Sequence, residues 1–135
     1  MMIKSEHTQL IVLHKEAELL KNLIKNSPIV DPTLKHSLKE LLEQLKNAVE
    51  VNEEDFPTNV VRLNSVVTLQ TTYGRKDNLE LVLPNEADLS KRKLSVLSPM
   101  GAALFGYEEG RNVTWKFPNG YENILIERVL REVSL

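Results

Sequence analysis

Three histidines, His7, His14 and His36, and one short acidic run, Glu53-Glu54-Asp55, are the side chains of this chain best suited to metal or acid–base chemistry. On a helix, an imidazole holds a metal when a second imidazole or a carboxylate follows three or four residues later. His7 and His14 stand seven apart, no partner is assigned to either, and all three are read as surface or boundary histidines. No metal site is expected. The acidic run reads as a solvated linker and is given no role.

The chain has no cysteine, which excludes disulfides, thiolate zinc and a cysteine nucleophile. No histidine has a serine and an acid placed for nucleophilic catalysis, so no catalytic residue is named and the protein is not expected to be an enzyme. The five glycines are isolated in turns and fit neither a G-x-G-x-x-G nor a Walker loop, so no nucleotide or other cofactor is expected.

The formal charge of −2 offers no broad positive field for a phosphate backbone. Arg75-Lys76 and Lys91-Arg92-Lys93 read as solvated loop charge, and direct sequence-specific binding of nucleic acid is not expected. Trp115, Phe117, Phe105 and Tyr121 gather near the last hairpin of the sequence and are read as core. The longest apolar run near the start, Leu10 to Leu13, is too short for a signal or a membrane span. A cytoplasmic protein with no membrane partner is the expectation.

The elements that would carry these residues fall into two kinds. Leu10, Leu13, Ala17, Leu20 and Ile24 recur at three- and four-residue steps, as do Leu34, Leu38, Leu41, Leu45 and Ala48, so two amphipathic helices of matching length are predicted. Ser5 is placed to cap the first. Asn26 to Thr33, with Pro28 and Pro32, is short enough to make the helices antiparallel neighbours. Asp31 before Pro32 suits an N-cap, with Thr33 as alternative. The two seams can satisfy each other within a monomer, as a short coiled coil. Residues 1–50 are thus a helical hairpin, 51–59 a linker, and 60–135 a β-rich domain.

In that domain Val60 to Leu63 and Val66 to Thr72 are strand-like, Tyr73 to Asn78 is turn-like, and Leu79, Leu81 and Leu83 alternate with polar or β-branched neighbours. Lys93 to Leu97 is a further strand. Ser98 as N-cap, Pro99 as first helical residue and Gly106 as left-handed stop delimit one short helix. Val113, Trp115 and Phe117, then Asn119-Gly120, then Ile124 to Val129 predict a closing hairpin. The fold class is α+β: a helical hairpin followed by an antiparallel-rich sheet with one short helix.

Leu83-Pro84-Asn85-Glu86-Ala87-Asp88, then Leu94 through Ser98-Pro99-Met100-Gly101-Ala102-Ala103-Leu104-Phe105-Gly106, with Gly110 and Pro118-Asn119-Gly120 following in order, resemble the signature of bacterial Gre-type transcription factors. Asp55 to Ser65 resembles the Rnk-like regulators of nucleoside diphosphate kinase in that group. The resemblance implies an FKBP-like C-terminal domain that docks on bacterial RNA polymerase at the mouth of its secondary channel, through the surface around Ser98, Pro99 and Met100. It also implies a hairpin that enters the channel.

In cleavage-competent members, paired acids at the hairpin tip help hold a magnesium ion that hydrolyses backtracked RNA. This tip offers Asp31, with Leu34 where a second carboxylate would be wanted. Helices of about 17 to 22 residues reach roughly 25 to 33 Å at about 1.5 Å per residue, shorter than a cleavage factor's hairpin. The resemblance therefore implies a non-enzymatic regulator that competes with Gre factors. A transcript-cleavage factor is the alternative, and a prolyl isomerase or chaperone, from the FKBP-like fold alone, is the third class.

Overall fold

The computed structural model describes residues 9–27, 31–117 and 120–131, with residues 115–117 by their backbone. The expected cap Ser5, His7, and the turn residues Pro28 to Val30, Pro118 and Asn119 lie outside the described residues.

The first structural surprise is that Leu10 and Leu13 do not join the helical seam. Ile11–Leu13 form strand β1, paired in parallel with β2, Val49–Val51, with Ile11 opposite Val49, Val12 opposite Glu50 and Leu13 opposite Val51. The three- and four-residue spacing fits a helix, but Ile11 and Val12 are β-branched and favour extended backbone. Leu10, Val12 and Leu13 are all buried. A helix cannot turn such closely spaced residues toward one narrow stripe as readily as a strand held between two layers.

Helix α1, His14–Asn26, therefore begins later than the spacing predicts and buries Glu16, Ala17 and Leu20. Helix α2, Pro32–Lys46, buries Leu38, Leu41 and Leu45, and Ala48 falls beyond its end. Asp31 is its N-cap, accepting hydrogen bonds from the N–H groups of Thr33 and Leu34, while Pro32 occupies a first-turn position where no amide partner is needed. Thr33 is not the cap.

Five strands follow: β3, Ser65–Thr71; β4, Gly74–Val82; β5, Lys93–Ser95; β6, Asn112–Phe117; and β7, Gly120–Arg131. They lie in the order β5-β4-β3-β7-β6, antiparallel throughout except for the parallel β4/β5 pair. Residues 60–63 are not a strand, because Val60 makes one isolated bridge to Glu108 and the chain then turns toward β3. The expected turn over 73–78 shrinks to Thr72-Tyr73, since β4 already starts at Gly74.

Helix α3, Pro99–Leu104, has the predicted punctuation. Ser98 Oγ accepts the N–H of Gly101, and Gly106 has φ +85°. α3 packs on β6 and on α2. In consequence Leu20, Leu38, Leu41 and Leu45 of the hairpin belong to the same apolar core as Val67, Leu69, Ala103, Leu104, Ile124 and Ile126 of the sheet side.

Phe105 is core, as expected, but Tyr121 is 71% exposed. β7 alternates, and Ile124 and Ile126 take its inward positions. Tyr107 is instead the buried tyrosine, and its hydroxyl accepts from Gln44 Nε2 of α2 at 3.1 Å. Among the described residues no helix is long and apolar enough to cross a membrane.

Candidate functional site

Hairpin tip and α3 start are the two places the sequence singles out. At the tip, Asp31 is exposed and Oδ1 is engaged with Thr33 N–H at 2.9 Å and Leu34 N–H at 3.5 Å. At the α3 start, Ser98, Pro99 and Met100 are half-buried and contiguous. Ser98 Oγ is doubly used, donating to the Ser95 carbonyl at 2.7 Å and accepting from Gly101 N–H at 3.1 Å. Met100 packs against the core. The structure brings neither group to the other, since one caps α2 and the other opens α3.

Sequence reasoning missed a charge network at the base of the hairpin. The Arg62 guanidinium lies 3.1 Å from Glu16 of α1 and 2.5 Å from Glu53, above the Phe56 ring at 5.1 Å from its centroid. The second Glu16 oxygen accepts the Leu63 N–H at 3.2 Å. Glu53 also takes Arg131, at the end of β7, at 2.8 Å, and Lys15 at 3.8 Å. The Arg62 and Glu16 side chains are 9% and 8% exposed, so both charges sit largely out of water.

Within the network, burial pushes the Glu16 carboxyl up, with the Leu63 N–H and Arg62 pulling it back in part. Glu53 goes the other way. Hydrogen bonding from Arg62 holds its carboxyl down at about 2, against burial and with help from Arg131. The acidic run is therefore no bare solvated linker: residues 53–55 form one 3₁₀ turn, Phe56 behind it is buried, and Glu53 is committed to two arginines.

A second missed group surrounds His14. Glu18 is four residues along α1, the spacing the histidine reading overlooked, and β1/β2 pairing delivers Glu50 beside them. One ligand atom from each of His14, Glu18 and Glu50 lies within 4.8 Å of the others, all on the surface. Hydrogen bonding to Glu50 raises the His14 imidazole above its usual range. Lys21 Nζ stands 3.4 Å from Glu18 and 3.8 Å from Glu50, so the two carboxylates already have a cation of the protein's own. His36 is exposed on α2.

These features are what the hairpin and the sheet domain present together: a capped short tip, a half-buried helix start, and a charged joint between them. Residues 56–131, more than half the chain, match the family model described as "Transcription elongation factor, GreA/GreB, C-term". Over 61 residues the chain is 41% identical to transcription elongation factor GreA of Syntrophobacter fumaroxidans, covering 45% of this chain and 39% of that protein. It is 35% identical over 78 residues to the regulator of nucleoside diphosphate kinase of Escherichia coli strain K12, covering 57% of each. The chain thus spans well under two thirds of the length of these relatives.

Its fold is similar to that of the prokaryotic transcription elongation factor GreA/GreB from Nitrosomonas europaea, with a TM-score of 0.71 at 29% identity. That likeness covers 91% of this chain and 98% of that one, so it includes the helical hairpin as well as the sheet. Sequence signature, sheet and hairpin agree, and the chain belongs to the GreA/GreB family of transcription elongation factors.

Proposed function

We propose that this protein is a non-enzymatic regulator that binds bacterial RNA polymerase near its secondary channel and competes there with longer Gre factors. The observation that carries this reading is the length and chemistry of the hairpin. α1 has 13 residues and α2 has 15, which at about 1.5 Å per residue gives roughly 20 to 23 Å of reach. That is shorter still than the sequence spacing predicts, because β1 takes the residues that would have lengthened α1.

The single acid of the 26–34 tip, Asp31, already serves as the α2 cap. Metal-assisted hydrolysis by a carboxylate pair needs two carboxylates on one ion, and Leu34 stands where the second would be required. The hairpin on this reading occupies the channel mouth without reaching the reacting RNA. Docking falls to the α3 start, where Ser98, Pro99 and Met100 are partly accessible on a rigid helix cap. The protein acts as a monomer in the cytoplasm.

The test is a stalled, backtracked elongation complex. Added protein should leave the RNA length unchanged and should reduce cleavage stimulated by a longer Gre factor in proportion to its concentration. RNA shortening by this protein alone would establish the cleavage role instead, and failure to bind polymerase at low salt would remove the reading altogether.

A further inference from the structure

We infer that Arg62 is the positioning residue of the hairpin, fixing the angle at which α1 and α2 leave the sheet and hence where the tip lies on the partner; this rests on the polymerase reading above. Apolar packing and directional hydrogen bonds, among them Gln44 to Tyr107, both hold the hairpin to the sheet. The leucines of α2 pack on α3 and β6, and apolar contact of this kind is strong but non-directional. The network around Arg62 is directional, because charge-assisted hydrogen bonds demand definite distances and angles.

Arg62 is suited to the task because its backbone belongs to the sheet side. Its own N–H donates to Ser65 Oγ at 2.9 Å, and the preceding Val61 donates to Tyr107 O at 2.9 Å and accepts from Gly106 N–H at 2.9 Å. From that fixed base the guanidinium reaches Glu16 in the first turn of α1, and Glu16 returns its other oxygen to Leu63 N–H. Two bonds thus pin the start of α1 to two consecutive residues. Glu53 closes the far side of the guanidinium and ties it to Arg131 at the end of β7.

Tilting or rolling α1 would pull Glu16 from Arg62 and strand the Glu16 carboxylate in a largely buried site, while Arg62 would keep Glu53. An unpaired buried charge is far more costly than a lost apolar contact. The apolar core therefore tolerates several hairpin angles; the Gln44 to Tyr107 hydrogen bond ties α2 and the Arg62 network ties α1, so that together they select one.

The absence of cysteine lets two be introduced cleanly, at exposed Asn26 near the tip and exposed Gln70 on β3, for spin labels. The variant Arg62→Met with Glu16→Gln removes both charges and keeps an acceptor for Leu63 N–H. Replacing a whole buried pair by neutral groups is often tolerated by the fold, so the variant should unfold cooperatively near the parent temperature. Its label-to-label distance should lose the single narrow peak of the parent, and its competition with a Gre factor on polymerase should fall.

A narrow, unmoved peak in the neutral variant overturns the inference, as does a broadened peak with undiminished competition. Failure of the parent itself to compete is a separate result, which removes the polymerase reading and leaves the distance measurement as the test of the joint. Should the neutral variant not fold, Arg62→Lys serves, since an ammonium cannot reproduce the planar fork that serves Glu16 and Glu53 together.

Discussion

Gly101 of α3 faces the backbone of Ser95 so closely that a Cβ on Gly101 would stand 2.0 Å from the Ser95 carbonyl oxygen and 2.9 Å from the Val96 Cα. Ser98 holds this approach in place, since one hydroxyl bonds both the Ser95 carbonyl and the Gly101 amide. Gly101→Ala must push α3 away from the end of β5 and so disturb its packing on α2 and β6. The expected cost is at least the ~1–3 kcal/mol typical of overpacking, read as a lower urea midpoint, and a parent-like midpoint would contradict the geometry.

Ser98→Ala removes the cap and should cost about 1 kcal/mol, whereas Ser98→Thr keeps a hydroxyl that accepts from Gly101 N–H and donates to the Ser95 carbonyl, and should recover much of it. Equilibrium unfolding of the two variants checks this. Polymerase binding measured on Ser98→Thr then isolates docking from folding, and the docking reading expects the added methyl group to weaken it while stability holds.

Asp31 separates capping from metal chemistry by a single substitution. Asparagine caps as well as aspartate, so Asp31→Asn should leave stability nearly unchanged and Asp31→Ala should cost about 0.5–2 kcal/mol. Competition at the polymerase channel should survive Asp31→Asn. Loss of activity in Asp31→Asn at full stability would show that the negative charge matters beyond the cap.

Glu53 should make the protein acid-sensitive. Its folded value, about 2, lies below the ordinary 4.5 because Arg62 hydrogen-bonds the ionised form. A depressed carboxylate stabilises the fold above its unfolded value, and that contribution is lost as pH falls through the folded one. Denaturation midpoints should therefore decline between about pH 5 and pH 2, and less steeply in Glu53→Gln. Glu16, raised by burial above 4.5, works with the opposite sign and at higher pH, its contribution falling as pH rises past 4.5; Glu16→Gln should remove that fall, and identical pH profiles in all three proteins would contradict the network.

His14 should titrate above 6.5, because Glu50 hydrogen-bonds the imidazolium. A raised histidine contributes stability fully below its unfolded value and loses it as pH rises through the folded one. Proton NMR of the imidazole should show the raised midpoint, and Glu50→Gln should return it toward 6.5. A midpoint unmoved by Glu50→Gln would mean that the β1/β2 register does not place the pair.

How much of this could be read beforehand depended on how local the cause was. The α3 punctuation at Ser98, Pro99 and Gly106 and the Asp31-Pro32 start of α2 are set by residues within a few positions of each other, and they appear where the sequence puts them. The leucines of α2 show the same locality. β1 was illegible because a spacing that fits a helix was overridden by a strand partner 38 residues away, Val49.

The charged joint failed for the same reason on a larger scale. Glu53 meets Arg62 nine residues on and Arg131 seventy-eight on, and no window around Glu53-Glu54-Asp55 contains the second. The His14 to Glu18 spacing was local and visible, but Glu50 needed the β1/β2 register. Tyr121 clusters in sequence with other aromatics, but its position along β7 puts it on the face opposite Ile124 and Ile126, and that face is exposed there.

The parallel pairing of β1 with β2 seals the hairpin at its base, so the chain enters and leaves the two helices through one stitched doorway. Everything beyond that doorway can change in extent without disturbing it. Whole turns added to α1 and α2 in equal number would extend the hairpin like the telescoping arm of a gauge, keeping its footing on the sheet. If the proposed docking on polymerase holds, a graded series of such insertions would turn the protein into a ruler for channel depth, with the length at which its effect changes marking the distance to the reacting RNA.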